Sequence, residues 1–406
     1  MFERRIEGVN TRDSQADGNA SLLAQAADSS KSTTNVPVAR EGVRGETPYG
    51  APQLDVPYQL NTNENPYAPG PAVIARIASE VTSAAATLNR YPDRDFHQLR
   101  QDLTTYLAKE AGVTLAEENI WAANGSNEIM LHILQAFGGP GRIALAFTPA
   151  YAMYSEYARD TLTGWAEIPR QDDFSINLES AAQQVAKIAP AVIFLTSPNN
   201  PTGTALAIDE IRAIADIAST IDVDGGPALV VVDEAYAEFR RAGSPSALEL
   251  LEQYPNLVVT RTMSKAFALA GGRLGYLAAD PRIVNLLRVV RLPYHLSSVT
   301  QAVARGALAH ADELLSAVAQ LRNERDELVD WLRQQTYKGT PLRVADSDSN
   351  FVFFGLFESR HAIWQGLLDQ GVLIRESGPE GWLRVTVGTP EEMSAFKNAL
   401  QKELAK

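Results

Sequence analysis

Cysteine is absent from the whole sequence of 406 residues. Disulfide bonds, thiolate nucleophiles and cysteine-ligated metals are therefore excluded together. Histidine is scarce, with five residues, and no two of them stand at a spacing that would place both imidazoles on one helix face. We therefore expect no metal site.

Long apolar runs and basic character are lacking too. No uninterrupted apolar run approaches the roughly 18 residues that cross a bilayer, and the N-terminal stretch has no apolar region after its arginines, unlike a secretory signal or a transit peptide. The formal net charge of −13 offers no general basic face for nucleic acid or an anionic membrane. These absences predict a cytoplasmic protein without nucleic-acid or membrane partners, although a few arginines could hold a small anionic ligand.

Composition divides the chain into four regions. Residues 1–45 are rich in small polar residues without a sustained period, which is typical of a disordered extension. Prolines and asparagines in residues 46–75 indicate an extended arm that joins a small domain. Because one hydrophobic core stops growing near roughly 250–300 residues, we expect a large domain over 76–295, then an interdomain helix and a small C-terminal domain over 296–406.

Short apolar runs alternate with helical stretches from about residue 70 onward. The runs are apolar at consecutive positions, as in strands whose two faces are both covered by helices. The strand candidates are Ile143–Phe147, Ala191–Thr196, Ala228–Asp233, Leu257–Thr262 and Leu274–Ala278. This alternation predicts an α/β domain with a mainly parallel sheet.

The C-terminal part has a different pattern. Apolar residues at three- and four-residue spacing predict a long helical region over roughly Pro281–Gln335. Two further strand candidates, Phe351–Phe354 and Leu383–Val387, are each followed by a helical stretch, at about 361–370 and 390–404. The pattern favours a small α+β domain.

Polar residues stand directly after several candidate strands, where open α/β sheets bind their ligands. In "AANGSNEIM" the backbone N–H groups of Ser126 and Asn127 would open a helix and could cradle a phosphate, although the same residues would also make an ordinary helix cap. In "TPAYAMY", Tyr151 could lie over a flat heterocycle or belong to the core. In "LTSPNNPTG", Asn200 could donate to a phenolic oxygen or simply form part of a rigid turn.

A carboxylate follows the strand in "ALVVVDEAYAEF", where Asp233 comes directly after the apolar run and Tyr236 three residues later. An isolated carboxylate at the end of a buried strand is costly unless it meets a cation or good hydrogen-bond donors. The alternative is that Asp233 caps a helix, which would cost little. The position therefore favours a cationic ligand group.

The stretch "VVTRTMSKAFALAGGRLGY" contains a lysine among small and apolar residues. Most lysines are solvated surface residues, but here Thr262, Ser264 and Arg273 could grip a dianionic phosphate while Lys265 reaches an aldehyde on the same ligand. Desolvation and the nearby Arg273 cation would both lower the pKa of the Lys265 amine.

Together these places supply a phosphate cradle, a stacking ring, a donor to a phenolic oxygen, a carboxylate for a ring nitrogen and an amine for an aldehyde. They match the functional groups of pyridoxal 5'-phosphate. The sequence resembles the fold-type-I aminotransferases from about Thr47 to the C-terminus, and most closely the histidinol-phosphate aminotransferase family. The motifs that carry the resemblance are "LNTNENPY", "RYPD", "NGSNE", "PAYAMY", "SPNNPTG", "VVDEAYAEF", "TRTMSKAFALAGGRLGY" and "LRVTVGTPEE".

The resemblance implies a homodimer in which a large domain with a mainly parallel seven-stranded sheet carries the cofactor and a small α+β domain moves over the substrate. Lys265 would bond to the cofactor aldehyde and shuttle a proton, and Asp233 would pair with the pyridine nitrogen. Asn200 and Tyr236 would hydrogen-bond the ring oxygen, and Tyr151 would stack on the ring. The phosphate would be held by Ser126, Asn127, Thr262, Ser264 and Arg273, with Tyr91 reaching in from the partner subunit.

The resemblance also implies the reaction. L-Histidinol phosphate and 2-oxoglutarate would be interconverted with imidazole-acetol phosphate and L-glutamate, in histidine biosynthesis. Arg384 matches the family's carboxylate-binding arginine, and Arg375, Tyr67 and Asn200 would complete the substrate site. Two arginines suit a phosphate dianion better than a single carboxylate.

Three alternative protein classes share motifs with this sequence. Aromatic amino-acid aminotransferases and threonine-phosphate decarboxylases have most of them, and turnover on L-histidinol phosphate against phenylalanine would separate the first of these from the main hypothesis. A regulator that senses the cofactor and binds DNA would need a basic helix-turn-helix module ahead of the domain. The first 45 residues are too short and too poor in apolar periodicity for one.

Overall fold

The computed structural model describes residues 37–406. Of the extension expected over residues 1–45, residues 1–36 lie outside the described residues. The chain separates into two units, residues 1–48 and 49–406. Within the described part of the first unit, Glu41–Val43 form one 3-10 turn.

The second unit contains fifteen strands and eleven helices. The strands are β1 (Tyr58–Gln59), β2 (Ile120–Ala123), β3 (Ile143–Thr148), β4 (Gly164–Pro169), β5 (Val192–Thr196), β6 (Leu229–Asp233), β7 (Leu257–Thr262), β8 (Gly275–Ala279), β9 (Thr336–Tyr337), β10 (Thr340–Pro341), β11 (Arg343–Val344), β12 (Phe351–Gly355), β13 (Val372–Leu373), β14 (Arg375–Glu376) and β15 (Trp382–Thr386). The helices are α1 (Pro71–Ala85), α2 (His97–Ala111), α3 (Ser126–Phe137), α4 (Met153–Asp160), α5 (Leu178–Ile188), α6 (Ile208–Ser219), α7 (Pro281–Val290), α8 (Ser298–Leu308), α9 (Ala311–Arg333), α10 (Arg360–Leu368) and α11 (Pro390–Leu404).

Seven strands form the main sheet in the order β2-β8-β7-β6-β5-β3-β4. All neighbours are parallel except β8, which runs antiparallel to both β2 and β7. The central strands β5, β6 and β7 are buried at every residue, because their apolar side chains point to both covered faces. The predicted α/β fold with a mainly parallel seven-stranded sheet is therefore confirmed.

All five strands predicted for this sheet are present, with ends that differ by one residue at most. Two strands were missed, β2 and β4. β4 lies at the sheet edge with several half-buried and exposed residues, so it lacks a continuous apolar run. β2 has only four residues, two of them alanine, which is a poor strand former.

The predicted helical region over Pro281–Gln335 contains three helices, α7, α8 and α9. The first break contains Pro293, which lacks a backbone donor, and Tyr294, which has a positive φ of 55°. After this break, the Ser297 hydroxyl caps α8 by accepting the N–H of Thr300. The second break is short, at residues 309–310.

Four strands form an antiparallel sheet in the order β11-β12-β15-β14, accompanied by α10 and α11. The N-terminal arm joins this region, because β1 pairs in parallel with β13. The arm then continues along β15, where the Thr386 N–H donates to the carbonyl of Leu60 at 2.9 Å. This pairing carries residues 61–65 to the carboxyl ends of the main-sheet strands.

Candidate active site

One cavity of about 240 Å³ opens where the carboxyl ends of the main-sheet strands meet the arm and the sheet of β14 and β15. Of the fourteen site residues predicted from the sequence, twelve line it: Ser126, Asn127, Tyr151, Asn200, Asp233, Tyr236, Thr262, Ser264, Lys265, Arg273, Arg375 and Arg384. The fold thus gathers residues that are up to 258 positions apart in the sequence. The two others, Tyr67 and Tyr91, do not line it.

Lys265 lies in the loop that follows β7. Its Nζ donates to the Thr62 carbonyl of the arm at 2.9 Å. The pKa of Lys265 is lowered to about 8, chiefly by burial and then by the neighbouring cations Arg384 and Arg273, while Glu64 opposes them. An amine with such a pKa is partly deprotonated near neutral pH and can act as a nucleophile.

Asp233 ends β6 and is buried. Its Oδ2 accepts a hydrogen bond from the Tyr154 hydroxyl at 2.7 Å, and its Oδ1 accepts from the Thr260 hydroxyl at 3.2 Å and the Ala235 N–H at 3.1 Å. Burial raises the pKa of Asp233. Within residues 37–406 no cation forms an ion pair with it, so a cationic ligand group would supply the missing partner.

Tyr236 and Asn200 form a second polar group in the cavity. The Tyr236 hydroxyl accepts from Asn63 Nδ2 at 3.0 Å and from Asn200 Nδ2 at 3.4 Å. Asn200 Oδ1 in turn accepts from Arg384 Nη1 at 2.6 Å. Burial raises the pKa of Tyr236, so the phenol stays protonated and can donate to an acceptor in the cavity.

The start of α3 packs against β8 and Arg273. Gly125 precedes the helix with a φ of +85°, and a Cβ at this position would lie 2.7 Å from Arg273 Nη2. A Cβ at Gly275 would lie 2.2 Å from the Ser126 nitrogen, so only glycine allows the strand this close to the helix end. The helix N-terminus, with Ser126 and Asn127 in its first turn and a guanidinium beside it, suits a phosphate.

Two more hydroxyls border this end of the cavity. Thr262 Oγ1 donates to the Leu274 carbonyl at 3.2 Å and accepts from the Ser264 N–H at 3.1 Å. These bonds fold the segment after β7 into a tight turn. As a result the Thr262 and Ser264 side chains line the same cavity as Lys265.

Tyr151 stands beside the cavity at the start of the segment that leads into α4. Its ring meets Tyr49 edge to face at 6.4 Å and Tyr154 edge to face at 5.6 Å. Burial raises the pKa of Tyr151. The ring is thus fixed by aromatic neighbours, as a stacking platform requires.

Arg375 and Arg384 lie directly opposite each other on the antiparallel strands β14 and β15. Directly paired residues point to the same face of a sheet. Arg384 is buried and donates to the Asn61 carbonyl at 2.9 Å, while its Nε has no partner within the described residues. Arg375 is half-buried and donates to the Gly50 carbonyl at 3.3 Å. Both guanidinium groups line the cavity, where they could bind an anion together.

The two remaining predicted residues lie elsewhere. The Tyr67 ring packs against the core, and burial together with Glu324 and Glu392 raises the pKa of its hydroxyl. Tyr91 is 79% exposed and stacks on Tyr294 with ring centroids 4.4 Å apart. Within this chain neither reaches the cavity, so their roles stay predictions.

Sequence reasoning missed several residues of the site, and three of their side chains matter most. Tyr49 and Asn63 of the arm line the cavity. The Tyr154 hydroxyl donates a hydrogen bond to the Asp233 carboxylate. Tyr154 was accessible to prediction, because it belongs to the same short motif as Tyr151, directly after a buried strand. The indication of Tyr49 and Asn63 was weaker, because the arm has no periodic pattern that would predict which strands it packs against.

The comparisons with known proteins agree on one family. The sequence model described as "Aminotransferase class I and II" matches residues 57–400. A histidinol-phosphate aminotransferase of Thermobifida fusca is 60% identical over 361 residues, which cover 89% of this chain and 94% of that relative. Histidinol-phosphate aminotransferase 3 of Burkholderia lata is 58% identical over 366 residues, which cover 90% of this chain and 95% of that relative.

A solved structure extends the comparison to the fold. The histidinol-phosphate aminotransferase of Sinorhizobium meliloti, in complex with pyridoxal-5'-phosphate, has a TM-score of 0.72 to this chain at 23% sequence identity. The match covers 86% of this chain and 91% of that chain. At this identity the likeness shows the shared fold.

Proposed function

This chain belongs to the class I and II aminotransferase family, and we propose that it transfers the amino group of L-histidinol phosphate to 2-oxoglutarate in histidine biosynthesis. The products are imidazole-acetol phosphate and L-glutamate. The resemblance drawn from the motifs is confirmed, because curated relatives with this name are 58% and 60% identical over about nine tenths of the chain. The enzyme works with pyridoxal 5'-phosphate, whose ring withdraws electrons from the substrate when it is bound.

The cavity fits this cofactor on its own chemistry. Asp233 is a buried carboxylate that has no cationic partner among the described residues, so it suits a protonated ring nitrogen. The glycine-lined helix start beside Arg273 suits the phosphate. Lys265, with its lowered pKa, suits the aldehyde.

Each of these side chains would then act at a stated atom. Asp233 would accept a hydrogen bond from the ring nitrogen and hold the proton there. Tyr236 and Asn200 would donate to the ring oxygen. The Lys265 amine would move a proton between the substrate's α-carbon and the cofactor, because its pKa is lowered to about 8 and it can both accept and release a proton near neutral pH.

The observation that carries the substrate assignment is the register pair of Arg375 and Arg384. Two guanidinium groups on one face of a sheet can bind a phosphate dianion with several charge-assisted hydrogen bonds. A single carboxylate would engage only one of them bidentately. A phosphate monoester on the substrate therefore uses both arginines, as L-histidinol phosphate would.

We also infer that the enzyme is a homodimer. Large apolar side chains are exposed on and after α7, including Val289 at 80% and Leu292 at 70%. Tyr91 and Tyr294 form an exposed aromatic pair beside them. Burying this face against a second copy would remove the apolar surface from water and bring Tyr91 toward the partner's phosphate site. The cytoplasmic location remains a prediction, which cell fractionation tests.

Steady-state turnover tests the assignment. The ratio kcat/KM is measured for L-histidinol phosphate and for L-phenylalanine, with 2-oxoglutarate as the acceptor. We expect a clear preference for L-histidinol phosphate, and Arg375→Gln should lower its kcat/KM by about 10- to 100-fold, because a charged hydrogen bond contributes roughly 1.5–3 kcal/mol. A preference for phenylalanine would show instead an aromatic amino-acid aminotransferase.

A further inference from the structure

Asn63 of the arm touches the Tyr236 hydroxyl and belongs to none of the roles assigned above. Its side chain is buried, with 2% of its surface exposed. Asn63 Nδ2 donates to Tyr236 Oη at 3.0 Å across 173 residues of sequence. A buried amide at this position has to satisfy both its donor and its acceptor atom inside the protein.

Thr386 of β15 settles which way the Asn63 amide points. The Thr386 hydroxyl accepts the backbone N–H of Asn63 at 3.0 Å, and it donates its own proton to Asn63 Oδ1 at 3.2 Å. The Asn63 carbonyl accepts from Asn350 Nδ2 at 3.0 Å, which fixes the backbone. Asn63 Oδ1 therefore faces the sheet, and Nδ2 faces Tyr236.

Asn200 is oriented in the same way by Arg384. An arginine can only donate hydrogen bonds, so Asn200 Oδ1 faces Arg384 Nη1 at 2.6 Å and Asn200 Nδ2 faces Tyr236 Oη at 3.4 Å. The Tyr236 oxygen thus accepts two N–H donors, one from the arm and one from the loop after β5. Its own proton is left for an acceptor in the cavity.

We propose that Asn63 is a positioning residue that keeps the Tyr236 hydroxyl proton directed at the ring oxygen of the bound cofactor. The inference rests on the proposed function, since it needs pyridoxal 5'-phosphate in the cavity. The bond from Asn63 also lowers the pKa of Tyr236 against the larger effect of burial. The orientation of the proton and the lowering of the pKa by Asn63 both make the phenol a better donor.

The pH titration of the holoenzyme's visible absorption band, without substrate, tests this role. A proton donated by Tyr236 stabilises negative charge on the ring oxygen and so lowers the pH midpoint of the band. Asn63→Gly tolerates the left-handed backbone conformation, φ 55° at this residue, and removes the amide. We expect the midpoint to rise by about half to one pH unit, the effect of one hydrogen bond.

The same titration in a Tyr236→Phe background separates positioning from structure. There, Asn63→Gly should leave the midpoint unchanged, because the hydroxyl through which it acts is gone. The other titratable and charged groups that interact with Tyr236 include Asp233, Arg384, Tyr49 and Tyr151, and they are the same in both backgrounds. An equal rise in both backgrounds, or no rise in either, overturns the proposal.

Two further variants keep the test decisive. Thr386→Val retains the shape of the side chain but frees the Asn63 amide to rotate, so it should raise the midpoint in the same direction and serves if Asn63→Gly does not fold. Gln59→Ala, at an exposed position of the arm, should leave the midpoint unmoved. If the wild-type protein binds no cofactor, the proposed function fails; if wild type titrates and neither Asn63→Gly nor Thr386→Val moves the midpoint, only the role of Asn63 fails.

Discussion

At the scale of single residues, the surroundings of Lys265 lower the pKa of its amine and so make it a better nucleophile. Burial disfavours its charged form, and Arg384 and Arg273 repel the same charge. Arg384 has the larger effect of the two cations, although it comes from β15, more than a hundred residues later in the sequence. Arg384, which we propose binds the substrate, therefore also lowers the pKa of Lys265.

This coupling predicts the pH dependence of cofactor capture. The Lys265 amine attacks only when it is deprotonated, so the rate at which cofactor-free protein takes up pyridoxal 5'-phosphate should rise with pH through a midpoint near 8. Arg384→Met removes a cation that lowers the pKa, and the midpoint should move upward. Stopped-flow absorbance measures the rate.

The control for this experiment is an arginine far from the cavity. Arg333 pairs with Asp346 on the surface, and Arg333→Met should leave the midpoint where it is in the wild type. A wild-type midpoint near the usual value for lysine, above 10, would contradict the role of desolvation.

At this scale, prediction from the sequence found side chains that lie in one cavity where each of them follows a buried strand. Asp233, Asn200 and Lys265 each stand just after an apolar run, and the parallel sheet brings those run ends together. It missed Asn63, whose partners Tyr236 and Thr386 are 173 and 323 residues away. Such contacts depend on how the arm packs, and no local pattern encodes that packing.

At the scale of elements, a buried ion pair ties β6 to β7 behind the cavity. Arg261 of β7 donates to Glu234, which follows the last residue of β6, at 2.8 Å. The two side chains are 1% exposed. They join the segments that carry Asp233 and Thr262, so the pair fixes the spacing of two cavity residues.

Breaking this pair should destabilise the protein strongly. Arg261→Met leaves the Glu234 carboxylate buried without its main cation, which typically costs about 3–5 kcal/mol of unfolding free energy. Urea unfolding of the cofactor-free protein measures the change. Arg76→Met, which breaks the exposed pair with Glu80 on α1, is the matched control and should cost less than about 1 kcal/mol. Equal losses of unfolding free energy in both variants would contradict the larger contribution of the buried pair.

The start of α3 leads to a prediction about cofactor affinity. Gly125→Ala would strain a backbone at φ +85° and push a Cβ against the Arg273 guanidinium. We expect the dissociation constant for pyridoxal 5'-phosphate to rise by about tenfold or more, from roughly 1–3 kcal/mol of strain. Equilibrium dialysis against the cofactor measures it.

Gly271→Ala is the matched control, because a Cβ there meets no atom within 4 Å and the residue has no positive φ. Its affinity should equal that of the wild type. Loss of affinity in both variants would show that any alanine in this region disturbs the cavity. The close approach at Gly125 would then have no specific effect on cofactor affinity.

Elements were predictable where the chain is strongly patterned. The fully buried strands β5, β6 and β7 were recognised by their continuous apolar runs. The edge strand β4 was missed, because its stability comes from pairing with β3 rather than from its own composition. The break between α7 and α8 depends on a left-handed tyrosine at position 294, which helical periodicity does not reveal.

At the scale of the whole molecule, the exposed apolar face on and after α7 supports the homodimer proposed above. Replacing both Val289 and Leu292 by lysine should convert the dimer into a monomer, because two charges would have to be buried at the interface. Cofactor affinity should fall with it, since Tyr91 would come from the partner. Sedimentation equilibrium measures the mass.

Leu162→Lys provides the control, because this leucine is 57% exposed beside β4, at the sheet edge opposite β2. Its mass and affinity should match the wild type. A double variant that keeps the dimer mass would place the interface elsewhere. Assembly was predicted only through the family resemblance, because an apolar surface residue in a sequence looks like a core residue.

The central claim is that this cavity transfers the amino group of L-histidinol phosphate through a cofactor held by Lys265. The most direct measurement is the visible absorption spectrum of the purified holoenzyme, recorded before and after L-histidinol phosphate is added without 2-oxoglutarate. The account predicts that the band of the lysine-bound cofactor disappears, that one equivalent of imidazole-acetol phosphate forms, and that added 2-oxoglutarate restores the band. A band that stays unchanged at saturating L-histidinol phosphate would contradict it.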